Sequence, residues 1–261
     1  MRMILPAALV LVWAGNAGAA VKTQEVTYSF DGVPLKGFLA WDDAADGKRP
    51  GVLVVHEWWG LNDYARKRAE QLAGLGYVAF ACDMYGNGKN TEHPTEALQF
   101  ATEVRKNLKT WQGRAQAGLK VLAENEHVDA SKLAAIGYCF GGSTALQLAY
   151  TGADLKAVAT FHAALPVPTP EQAKAVKAKL LINHGAADSF ITPETIQKFR
   201  SALDEAKVDC KFVAYEGAQH SFTVPGIDAK GVKGLAYNEA ADRASWEAMQ
   251  QLFRETIGGR K

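Results

Sequence analysis

Short apolar runs rich in Val, Ile and Ala recur at 51–55, 77–82, 133–137, 157–161, 179–183 and 211–215, with helical stretches between them. A strand with one wet face alternates apolar and polar residues, so near-continuous runs of this kind belong to strands buried on both sides. The intervening segments, 63–75, 94–126, 143–150, 193–207 and 236–257, supply helices to cover those faces. Pro94 and Pro193 stand where helices can start and Gly76 where one can stop. Residues 25–30 and 35–41, turning at Asp31-Gly32, add an N-terminal pair of strands. The pattern predicts an α/β fold with a mainly parallel central sheet, in a single domain over 21–261 that no linker or repeat interrupts. Ligands of such sheets bind beyond the carboxyl ends of the strands, so chemistry is expected where each apolar run ends.

Residues 1–20, MRMILPAALVLVWAGNAGAA, have the make-up of a secretory signal: a cation at Arg2, an apolar stretch at 4–13 and the small residues Ala17-Gly18-Ala19. Cleavage after this site predicts a periplasmic or secreted protein. The alternative is a buried or anchoring N-terminal helix, but the apolar run is too short to span a bilayer. No stable membrane insertion is expected once the segment is removed. The whole chain has 29 basic and 28 acidic residues, and the segment removes Arg2 and no acid, leaving the two signs equal. That balance gives no basis for a nucleic acid or an anionic membrane as partner. Three cysteines is an odd number, so at least one thiol is expected to be free. Cys82 and Cys210 fall in apolar runs and read as small core residues; a disulfide between them is the alternative in an oxidising compartment.

Cys139 stands among glycines, in Gly137-Tyr138-Cys139-Phe140-Gly141-Gly142, between a strand-like run and a helical one. This is the nucleophile-elbow pattern, with Cys where Ser is usual. Side chains at 137 and 141 would collide with the neighbouring strand and helix. The N-terminus of the following helix favours a thiolate and any developing oxyanion. Asp188 follows a later apolar run in His184-Gly185-Ala186-Ala187-Asp188, and His220 follows the last. Cys139, Asp188 and His220 therefore occur in the α/β-hydrolase order of nucleophile, acid and histidine. His184 competes as base, but its place beside the acid at a strand end reads as structural. After His56-Glu57 the metalloprotease spacing would require a histidine where Gly60 stands, so neither a metal nor a cofactor is expected. The proline-rich stretch 163–170 is too short for a separate lid, and a shallow, partly open pocket follows.

With this elbow, Asp188 and His220 behind it, Val55-His56-Glu57-Trp58-Trp59-Gly60, Cys82-Asp83-Met84-Tyr85 and Gly217-x-x-His220-Ser221-Phe222, the chain resembles the dienelactone hydrolase family over 25–257. The resemblance implies an α/β-hydrolase fold and attack by Cys139 on an ester or lactone carbonyl, served by Asp188 and His220. It further implies that Glu57 contacts the resting thiol, and that the backbone N–H groups of Trp58 and Phe140 form the oxyanion hole. Members that cleave dienelactone carry an arginine shortly after His-Ser-Phe, whereas Thr223-Val224-Pro225 follows here; Arg105 lies in the region of a second such arginine. Trp59, Tyr85, Phe190 and Phe222 are the candidate pocket residues. The expected function is an exported hydrolase cleaving a small-molecule carboxylic ester, lactone or thioester through an acyl-cysteine. The alternatives are a peptidase or acyltransferase on this fold, and a non-catalytic envelope binding protein.

Overall fold

The computed structural model describes residues 21–44 and 46–259; the expected signal segment lies outside the described residues. Eight strands form one sheet in the order β1-β2-β4-β3-β5-β6-β7-β8. β1 (Val21–Phe30) and β2 (Val33–Asp42) make an antiparallel hairpin whose turn residues, Asp31 and Gly32, have φ of 51° and 76°. Positive φ at both central positions matches the right-handed twist of the flanking strands. β2 is also antiparallel to β4 (Val78–Cys82). From β4 onward the sheet is parallel: β3 (Arg49–Val55), β5 (Val128–Tyr138), β6 (Ala157–Phe161), β7 (Lys179–Gly185) and β8 (Cys210–Tyr215).

Burial explains the continuous apolar runs. β4 and β6 are buried at every residue. In β3, Leu53 and Val55 enter one apolar cluster and Val52 and Val54 the other, as the two-residue period of a strand requires. The first cluster lies under α3 (Leu108–Ala123), α4 (Phe140–Tyr150) and α6 (Pro193–Glu205); the second lies under α1 (Asp63–Gly74) and α7 (Glu239–Thr256).

Two details differ from the expectation. The stretch 94–126 is two helices, α2 (Pro94–Arg105) and then α3, because Asn107 turns its side chain onto the Thr110 N–H at 3.0 Å and starts a new helix. A short helix, α5 (Pro170–Ala175), follows the proline-rich stretch, opened by a reciprocal cap between Thr169 and Gln172. The alternative of a disulfide is excluded: Cys82 on β4 and Cys210 on β8 lie five strands apart, roughly 24 Å at the usual strand spacing, so they cannot pair. Both are free thiols. Among the described residues no helix is long and apolar enough to cross a membrane.

Candidate active site

β5 ends at Tyr138 and α4 begins at Phe140, leaving Cys139 alone at the turn with φ 51° and ψ −112°. A non-glycine residue in this backbone region is strained and persists only where its surroundings over-determine it. Here the Cys139 N–H donates to the Phe161 carbonyl on β6 at 2.9 Å, and glycines clear the space around it. A Cβ at position 137 would run into the Gly141 backbone, and one at 141 into the carbonyls of Val55 and His56. The start of α4 thus lies directly against the end of β3. That approach brings the Phe140 N–H, which has no partner within its own helix, to the edge occupied by Glu57 and Trp58. Trp111 Nε1 donates to Thr144 Oγ1 at 2.7 Å and Thr144 Oγ1 to the Phe140 carbonyl at 2.8 Å, tying α3 to this first turn.

Asp188 and His220 follow β7 and β8. His220 Nδ1 lies 2.7 Å from Asp188 Oδ2, while Asp188 Oδ1 accepts from the Phe190 N–H at 2.9 Å. Both oxygens of the acid are therefore occupied, and the imidazole is held with its other nitrogen free for the thiol. The loop carrying His220 is pinned in turn: its N–H donates to Gly234 O and its carbonyl accepts from Ala236 N. Burial opposes the charged form of His220. The Cys139 sulfur facing it and the Asp188 contact outweigh burial and push its pKa up to about 10. A strained thiol beside an imidazole that favours the cation can act as a nucleophile whose leaving group is protonated by its neighbour.

Glu57 is buried, with its carboxyl pushed up to about 7 by desolvation, against the opposing pull of Ser221, His220 and Arg68. Ser221 Oγ donates to Glu57 Oε1 at 2.8 Å, and Glu57 Oε2 is buried without a hydrogen-bond partner. The structure places the carboxylate on Ser221, a residue the motif contained but whose role its position did not announce. His162 was also passed over in the sequence. It ends the β6 edge with φ 43°, packs edge-on to the His220 ring at 5.2 Å between centroids, and sets Nδ1 3.8 Å from Glu57 Oε1. The only advance signal was a buried-looking polar residue after a strand. His184 is buried against Phe212, as its strand-end position suggested.

The four candidate pocket residues divide. Phe190 is 52 % exposed and presents its face or edge to His220 at 5.3 Å between centroids, at the mouth of the site. Tyr85 is mostly buried; it donates to the Trp58 carbonyl at 3.0 Å and lines a cavity of about 320 Å³ with Phe100, Lys89 and Arg114. Trp59 packs on Ile227 and Leu235 and borders a cavity of about 150 Å³ that includes Glu57 and Lys230. Phe222 is a correction: it is wholly buried against Ala218, Ala241 and Tyr215, in the core and not on an open pocket wall. Ser221, the residue before it, adopts φ 55°. Arg105, at the end of α2, sets its guanidinium 5.3 Å from the centre of the Phe140 ring, beside the elbow. Among the described residues no group of three or more His, Cys, Asp or Glu is placed to hold a metal ion.

The sequence profile of the dienelactone hydrolase family matches residues 35–257. Two solved structures superpose with a TM-score of 0.89. One is m3DLH, 42% identical and covering 91% of this chain and 99% of its own. The other is a dienelactone hydrolase-like promiscuous phosphotriesterase from metagenomic libraries, 38% identical over 92% of this chain and 100% of its own. Protein usf of Aquifex pyrophilus is 27% identical over 238 residues, 90% of this chain and 99% of its length.

Proposed function

The chain belongs to the dienelactone hydrolase family, and from that premise we propose that it is an exported hydrolase working through an acyl-cysteine at Cys139. Carboxylic ester hydrolysis is the activity of the family; the covalent step and the cellular compartment are our reading. The observation that carries it is the contact of Cys139, strained at the elbow, with an imidazole anchored on Asp188.

In this mechanism the Cys139 sulfur attacks the carbonyl carbon of an ester, lactone or thioester, and the carbonyl oxygen becomes an oxyanion received by the N–H groups of Trp58 and Phe140. The His220 imidazolium gives its Nε2 proton to the departing oxygen or sulfur, and the C–O or C–S bond breaks. Water then enters; His220 takes one of its protons as the oxygen attacks the thioester, and the second tetrahedral intermediate collapses to release the acid and the thiolate. Asp188 holds the ring in the tautomer both steps need. Glu57, which titrates near neutral pH, exchanges a proton with the resting thiol when substrate arrives. Arg105 is the cation at the site edge that a substrate carboxylate can reach, while Val224 and Pro225 leave the other expected position without one.

Turnover of p-nitrophenyl esters of graded chain length and of lactones, before and after thiol alkylation, tests the reading. Cys139→Ala should lose at least about three orders of magnitude in kcat with an unchanged circular dichroism spectrum, and mass spectrometry should trap an acyl adduct on the unmodified protein only. Full activity in the alanine variant would end the acyl-cysteine mechanism, and absence of turnover on every ester and lactone would favour a binding protein.

A further inference from the structure

Behind Glu57 runs a buried chain of donors that begins at Arg68. Its guanidinium is pinned by an ion pair with Asp242 and lies over the rings of Tyr64, Tyr138 and Trp246. Arg68 Nε, a donor only, points at the Tyr64 phenol oxygen at 3.2 Å. The phenol proton then has two acceptors: the Thr223 hydroxyl at 2.6 Å and the Thr223 carbonyl at 3.2 Å. Arg68 Nη2 already donates to that carbonyl at 2.9 Å. The hydroxyl is the nearer acceptor, and a phenol proton given to it leaves the Thr223 hydroxyl with its own proton to give. Its remaining neighbour is His162 Nε2 at 2.8 Å. In that arrangement Nε2 accepts and the His162 proton sits on Nδ1, the atom that faces Glu57 Oε1 at 3.8 Å.

That separation exceeds a hydrogen bond. Yet Nδ1 and Glu57 Oε2 are both buried without a hydrogen-bond partner, a cost that a small rotation of the carboxylate would relieve. An ionised carboxylate has about four acceptor sites, and Ser221 fills one. We propose that His162 is a positioning residue for Glu57: the chain Arg68–Tyr64–Thr223 fixes its tautomer, and its Nδ1–H receives the Glu57 carboxylate in the ionised state. The proposal rests on Glu57 working with Cys139 as set out above. Burial keeps His162 neutral, with His220, Arg68 and His184 adding to the same effect. The other charged or titratable groups that face Glu57 are His220, Arg68, Tyr64, Tyr85 and Tyr138; burial raises all three phenols, so they stay neutral.

The test measures kcat/KM for a p-nitrophenyl ester and the rate of Cys139 alkylation by iodoacetamide, each against pH. Wild type should show a limb near pH 7 that Glu57→Gln removes. Thr223→Val keeps the volume and the His162 ring but loses the hydroxyl. It should move that limb upward by roughly half to one pH unit, a three- to tenfold change in the ionisation constant, because a donor to the carboxylate is lost. His162→Leu should move it in the same direction, and Thr223→Ser should restore the wild-type limb. If His162→Leu does not fold, the Thr223 pair decides alone. A limb that Glu57→Gln removes but Thr223→Val leaves in place overturns the His162 assignment while Glu57 stands. Identical profiles for wild type and Glu57→Gln overturn the role of Glu57, and this inference with it.

Discussion

Ser221 Oγ donates to Glu57 Oε1 at 2.8 Å, joining two residues 164 positions apart in the chain. Glu57 sits on the loop after β3, and Ser221 directly follows His220. The bond therefore couples the loop that carries Glu57 to the segment that carries His220.

The buried carboxyl gives stability a pH dependence of predictable sign. Glu57 ionises near 7 in the folded protein against 4.5 in its ordinary state, because burial disfavours the anion. Between those values the folded chain holds a proton the unfolded chain has lost, so this contribution falls as pH rises toward 7 and is flat above it. Gln carries no such proton and can still accept from Ser221. Relative to wild type, Glu57→Gln should gain on the order of 2–3 kcal/mol between pH 5 and pH 8 while losing turnover. Thermal unfolding of both proteins at the two pH values checks it; a stability difference independent of pH would contradict the burial argument.

The elbow has no room for a methyl group. In Gly137→Ala the new carbon meets the backbone of Gly141, which cannot yield without moving α4 off β3. A loss of about 3 kcal/mol or more is expected, read as a lower urea midpoint or as insoluble expression. A stable, active alanine variant would show that the turn relaxes in solution.

Phe190 and Phe222 should respond in opposite ways. Phe222→Ala empties a wholly buried site and should cost about 3–5 kcal/mol of stability. Phe190→Ala removes a half-exposed ring at the mouth, leaving stability within about 0.5 kcal/mol and raising KM for aryl esters. Urea denaturation and steady-state kinetics on the two variants separate the roles. Equal stability losses would mean that Phe190 is part of the core.

Export is checked at the N-terminus. Protein recovered from the cell envelope should begin at Ala20 or Val21, following the Ala17-Gly18-Ala19 site. A cytoplasmic product retaining Met1 would refute the proposed compartment.

The alternation of buried strands and helices was legible in the sequence because both depend on local period and on the faces each segment must cover. The elbow was legible for the same reason: Gly137 and Gly141 clear contacts made within a few residues of Cys139, so the string itself carries the geometry. Asp188 and His220 could be placed at strand ends, and the pairing of Asp188 with His220 across 2.7 Å needed only that β7 and β8 be neighbours. The break between α2 and α3 was hidden because one side chain, Asn107, outweighed a continuous helical pattern. The burial of Phe222 was hidden because its partners, Ala218, Ala241 and Tyr215, meet it only when α7 packs against the loop after β8. His162, Thr223, Tyr64, Arg68 and Asp242 share no single string. They come from the end of β6, from the loop after β8 and from α1 and α7, and only the packing of these separate segments brings them to one buried line. Side-chain polarity can be read from the chain, but which buried donor meets which acceptor is set by the three-dimensional closure of segments that share no local contact.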